Sequence, residues 1–72
     1  MRQADVLAQV EMHGFYGASL YKNHEKGTVK GIRLVRPAEA LERKGVLRVA
    51  SETVENICDG QVEVSHFRWV KA

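Results

Sequence analysis

Seventy-two residues carrying eleven Lys or Arg, nine Asp or Glu and a net charge of +2 are expected to form one small domain. A chain of this length buries only roughly 60% of its unfolded surface, and a single cysteine, Cys58, excludes a disulfide within the chain. No apolar run approaches the ~20 residues of a membrane span, Met1 to Asp5 lack the apolar core of a signal peptide, and a lone thiol suits a reducing compartment, so a cytoplasmic protein is expected.

In chain order, Val6 to Met12 carry two patterns at once. Val6, Ala8, Val10 and Met12 alternate as in a half-buried strand, whereas Val6, Leu7 and Val10 also suit a helix. Because the alternation resumes at Tyr16, Ala18 and Leu20, we expect a strand here. Between the two halves lies His13-Gly14-Phe15-Tyr16-Gly17. Two adjacent rings between glycines form either a turn with one ring packed inward and one outward, or a platform on which a base or a partner side chain stacks. Asn23 to Gly27 is polar, ends in glycine and reads as a hairpin loop leading into a strand over Thr28 to Val35. Mixed face parity in that strand calls for cover on both faces or for a bulge near Gly31.

The organising unit is expected to be strand, short helix, strand across Gly27 to Val49. Pro37 opens the helix, Arg43 and Lys44 lie at its carbonyl end, Gly45 stops it, and Ala38 and Leu41 dock on the sheet. Ser51 to Gly60 carry helix signals, with Val54, Ile57 and Cys58 on one face, so we expect a helix there. The alternative is a strand that turns at Asp59-Gly60. Gln61 to Val70 reads as a strand, with Val62 and Val64 on the face opposite Phe67 and Trp69. A bulge near Ser65-His66 would return all four to one core.

The fold class expected is α+β, an antiparallel sheet of four or five strands with one or two short helices. A small SH3-like, partly open β-barrel is the alternative. Assembly into a homodimer or higher homo-oligomer is expected from the small core and from an apolar edge on the terminal strand.

Charge is unevenly placed. Lys22, Lys26, Lys30, Arg33 and Arg36 are opposed between residues 22 and 36 only by Glu25, whereas residues 37 to 72 hold five cations and six anions. The basic stretch is therefore the candidate contact for nucleic-acid phosphates, against the plain reading of a solvated surface. Phe15, Tyr16, Tyr21 and Trp69 are the candidate stacking or partner-binding residues, although the default role of Trp69 is to anchor the core.

His13, His24, His66 and Cys58 are too far apart in sequence to form a zinc motif. No phosphate-binding glycine loop and no nucleophile elbow occurs, so neither metal nor cofactor is implied. His24 beside Lys22 and Lys26 is the only local cluster that could serve a small metal-independent nuclease. Three function classes follow: a non-catalytic binding or regulatory module, such as an accessory protein of a mobile element or phage; a nucleic-acid-binding protein using residues 22 to 36; and the nuclease.

Overall fold

The computed structural model describes all residues from Met1 to Ala72. The elements are helix α1 (Gln3–His13), strands β1 (Tyr16–Asn23) and β2 (Thr28–Lys30), helix α2 (Ile32–Arg43), and strands β3 (Leu47–Ile57) and β4 (Val62–Lys71). All pairings are antiparallel, in the order β2-β1-β4-β3. The two helices and four-stranded sheet are the α+β architecture expected. The sheet is open, so the barrel is not formed: β2 and β3 each keep one unpaired edge.

Residues 3 to 13 are helical where a strand was expected. Val6 and Val10, one turn apart, are buried while Met12 is exposed, so docking of an i, i+4 pair outweighs the alternation. The Arg2 N–H donates to the Asp5 carboxylate at the start of α1. At its end Gly14 takes φ 82° and donates its N–H to the Val10 carbonyl. That cap re-aims the chain, so that Tyr16 enters β1 pointing into the core.

The strand expected over residues 28 to 35 ends at Lys30. Gly31 adopts φ 96°, and helix α2 begins at Ile32, five residues before Pro37. The proline thus sits inside the helix, where it deprives the Arg33 carbonyl of its usual i+4 donor. One residue on, the Leu34 carbonyl accepts the Tyr16 hydroxyl at 2.8 Å, which ties α2 to β1. Val35, Ala38 and Leu41 form the buried face of α2, as expected for Ala38 and Leu41.

Ser51 to Ile57 are a strand, in place of the helix expected there. An amphipathic helix needs a surface to dock on, and every residue from Ser51 to Gln61 is exposed. Pairing with β4 instead satisfies the backbone and suits the β-branched Thr53, Val54 and Ile57. The turn is the Asp59-Gly60 alternative, with φ 57° and 85° and the Gln61 N–H donating to the Cys58 carbonyl.

The bulge falls in β3, between Val49 and Ser51, and leaves β4 in unbroken register with β1. Phe67 and Trp69 therefore face the helices while Val62 and Val64 face away. Being paired on both sides, β4 also has no free edge, so the apolar edge assigned to it does not exist.

One core results. Val6, Val10, Val35, Ala38 and Leu41 from the helices meet Tyr16, Ala18, Leu47 and Trp69 from the sheet. Trp69 is 1% exposed and donates its indole N–H to Glu42 of α2 at 2.9 Å. Since all of these sheet residues share one face, both helices cover that face and leave the other open.

Candidate functional site: the open face of the sheet

Strand parity determines what the uncovered face displays. Gly17, Ser19, Tyr21 and Asn23 of β1 lie beside Arg68, His66, Val64 and the buried Val62 of β4, and these beside Ser51, Thr53, Glu55 and Ile57 of β3. Lys30 of β2 pairs with Tyr21 and so shares this face, and Arg48, two registers beyond Arg68, joins it. Three permanent cations, Lys30, Arg48 and Arg68, stand there against one carboxylate, Glu55.

Near the end of the face where β1 begins, Phe15 and Arg68 form a cation–π contact, the guanidinium carbon 4.2 Å from the ring centroid. Phe15 is 37% exposed, so part of the ring reaches solvent beside the guanidinium. Next to this pair is a shallow hollow of about 370 Å³, lined by Gly17, Ser19, Ser51, Thr53 and His66 among others. The absence of a side chain at Gly17 leaves floor space between Phe15 and the hydroxyls.

Ser19 and His66 are directly opposed across β1 and β4, and a 2.7 Å hydrogen bond joins Ser19 Oγ to His66 Nδ1. Glu55 Oε2 lies 3.7 Å from the other ring nitrogen. That is too long for a hydrogen bond, although close enough for attraction to a protonated ring. Ser19 thus holds one ring nitrogen of the imidazole, while Glu55 stands near the other without a hydrogen bond. What the hollow offers is the joined Ser19–His66 pair and the Ser51 and Thr53 hydroxyls beside a guanidinium and a ring. No arginine of the chain has a carboxylate within 4.0 Å, so the charge of Arg68 is uncompensated locally.

The aromatic candidates divide in two. Phe15 and Tyr21 are exposed, Phe15 against the hollow and Tyr21 on the open face about 13 Å along β1 from Gly17. Tyr16 and Trp69 are buried and offer no ring face to a partner. Their rings lie 6.0 Å apart, and Phe67 stacks on Trp69 at 5.4 Å. Burial also raises the Tyr16 hydroxyl above its ordinary pKa of 10.0. The loop reading of one ring inward and one outward is what the chain adopts.

The basic stretch does not form one surface. Lys30 is on the open face and Lys22, paired with Val29, on the opposite one; Lys26 is in the turn, its N–H bonded to Asn23 Oδ1. Arg33 and Arg36 project from α2. Arg36 instead meets Arg2 and Arg43 around a wide cleft of about 840 Å³ between the helices, which also contains Glu39. His24 lies 3.1 Å from Glu63 across the hairpin ends. The nuclease cluster of sequence neighbours is thus built around a histidine already engaged by a carboxylate.

Sequence reasoning passed over Arg68, Ser19, Thr53 and His66. Their only signal was the shared parity of three strands, one of which was taken for a helix. No group of three metal-binding side chains is brought together, and no helix is long and apolar enough to cross a membrane. Comparison with known proteins finds no matching family model, curated protein or solved structure.

Proposed function

We propose that the protein is a non-catalytic binding module that takes single-stranded nucleic acid on the open face of its sheet. The observation that carries this reading is the Phe15–Arg68 stack beside the Ser19, Thr53 and His66 hydrogen-bonding groups, on a face whose fixed charges are mostly positive. A splayed strand presents flat bases to Phe15 and Tyr21, phosphates to Arg68, Arg48 and Lys30, and base edges to the hydroxyls and imidazole. A duplex hides its base faces and gains nothing from the rings. Phosphate contact thereby moves from the 22–36 segment to the sheet, and of that segment only Lys30 contributes. With this reading goes a cytoplasmic location, where the exposed thiol of Cys58 would stay reduced.

Fluorescence anisotropy with a labelled single strand and the matching duplex, over a salt series, tests this. Three phosphate contacts give a slope of log K against log salt of about −2 for a single strand. Weaker binding of the single strand than of the duplex, or binding indifferent to salt, would rule the reading out.

A further inference from the structure

The two edges of the sheet are not alike. β2 is three residues long, and so short an edge offers little to an incoming strand. β3 is eleven residues long, and its outer backbone groups from Ser51 to Ile57 face solvent without a helix or loop over them. Lysine, proline and bulges are the usual protections of such an edge. The segment Ser51 to Ile57 contains neither lysine nor proline, its only charges are Glu52 and Glu55, and the one bulge lies just before it, at Ala50. Val54, at its centre, is 49% exposed.

We propose that a second copy of this chain pairs with this edge, antiparallel, about a two-fold axis passing through Val54 perpendicular to the sheet. Such an axis keeps both copies' helices on one side, so each residue must face a residue of its own parity and the axis must pass through a residue. Charge and the bulge then select the register. An axis at Glu52 or at Glu55 would set that carboxylate against its own copy. An axis at Thr53 would draw the irregular backbone at Ala50 into the ladder. With the axis at Val54, Ser51 faces Ile57, Glu52 faces Asn56, Thr53 faces Glu55, and valine meets valine. No carboxylate opposes another, and the ladder uses the whole regular segment between bulge and turn. Beyond it, the turn carrying Asp59 of each copy runs alongside the end of β3 that carries Arg48 of the other.

The segment thus meets its own copy without a like-charge clash, in a register that uses all of its regular length, and the second copy is the occupant we assign. Pairing would join two four-stranded sheets into one of eight. If the open face takes nucleic acid as argued above, it would also merge two such faces into one continuous track, but the pairing itself does not depend on that reading.

Cross-linking and mass together decide it. In a Cys58→Ser background, Val54→Cys places two thiols directly opposite across the axis, within disulfide reach. Glu52→Cys leaves its two thiols four residues out of register, about 13 Å apart. The expected result is a covalent dimer from Val54→Cys and none from Glu52→Cys. Sedimentation of the wild-type chain should give twice 8.1 kDa at high concentration. Val54→Lys, which alters only an exposed side chain and sets like charges face to face, should give the single-chain mass, with the thermal midpoint of the wild-type chain at dilutions where that too is a single chain. A wild-type chain of single mass throughout a dilution series, or equal cross-linking at both positions, would overturn the proposal.

Discussion

The indole N–H of Trp69 reaches across 2.9 Å to the carboxylate of Glu42, joining the central strand β4 to the last turn of α2. A tryptophan can be almost fully buried only where its one polar group finds an acceptor, and α2 is positioned to supply it. Leu41, the neighbouring helical residue, is 3% exposed and packs into the same core. Leu41→Ala should therefore lower unfolding stability by about 2–4 kcal/mol in urea titration. Glu42→Ala, which strands the indole N–H, should cost about 1–2 kcal/mol. An unchanged urea midpoint for Leu41→Ala would show that α2 does not seat on the sheet this way.

Gly31 and Gly14 both have positive φ, but only Gly31 is also crowded. A Cβ at Gly31 would overlap the Ser19 carbonyl, because the chain passes directly over β1 on its way into α2. At Gly14 a Cβ would meet nothing within 4 Å. Gly14→Ala should cost about 1–2 kcal/mol from backbone strain alone. Gly31→Ala should cost about 2–5 kcal/mol, since the overlap adds to the strain. Thermal midpoints of the two variants give the ordering directly, and equal losses would contradict it.

Tyr16 supplies a prediction in alkaline solution. Burial raises its pKa, so the folded state holds the phenolic proton at pH values where the unfolded chain has begun to release it. Its contribution is complete below the ordinary value of 10.0 and is lost as pH rises through the folded value. Tyr16→Phe, which forfeits the bond to the Leu34 carbonyl, should be less stable by about 1 kcal/mol near neutrality. That difference should shrink above pH 10.0. A constant gap between wild type and variant from pH 8 to 11 would show that Tyr16 does not titrate with folding.

The α+β class, the hairpin at Asn23 to Gly27, the last strand and the docking of Ala38 and Leu41 were all legible in the sequence. The failures share a cause: local pattern was tied between helix and strand, and tertiary partners broke the tie. Val6 and Val10 had a sheet to cover, so residues 3 to 13 became a helix. Val54 and Ile57 had none, so the same kind of apolar spacing became an exposed strand. Ile32-Arg33-Leu34 reads as β-prone, but Gly31 in the left-handed region ends β2 and starts α2 five residues ahead of Pro37. The candidate site was the least legible part. Its members Phe15, Ser19, Thr53, His66 and Arg68 come from four segments, and only the paired register of β1, β4 and β3 puts them together.

Two groups of cations separate a specific face from general positive charge. Arg68→Ala should weaken single-strand binding by about tenfold and bring the salt slope about 0.7 closer to zero, as for the loss of one phosphate contact. Arg36→Ala combined with Arg43→Ala removes twice the charge from the cleft between the helices, on the opposite side of the molecule. Apart from a small uniform change, binding should survive it. A larger loss in the double variant than in Arg68→Ala, measured by anisotropy at one fixed salt concentration, would move the site to the helices.

Amide chemical-shift mapping with a single-stranded oligonucleotide locates the binding face, because it reads every strand at once in the intact chain. Saturable shifts are expected at Phe15, Gly17, Ser19, Thr53, His66 and Arg68, with α1 and the outer face of α2 unmoved. Shifts centred on Arg36 and Arg43, or none at all under conditions of low salt, would contradict it.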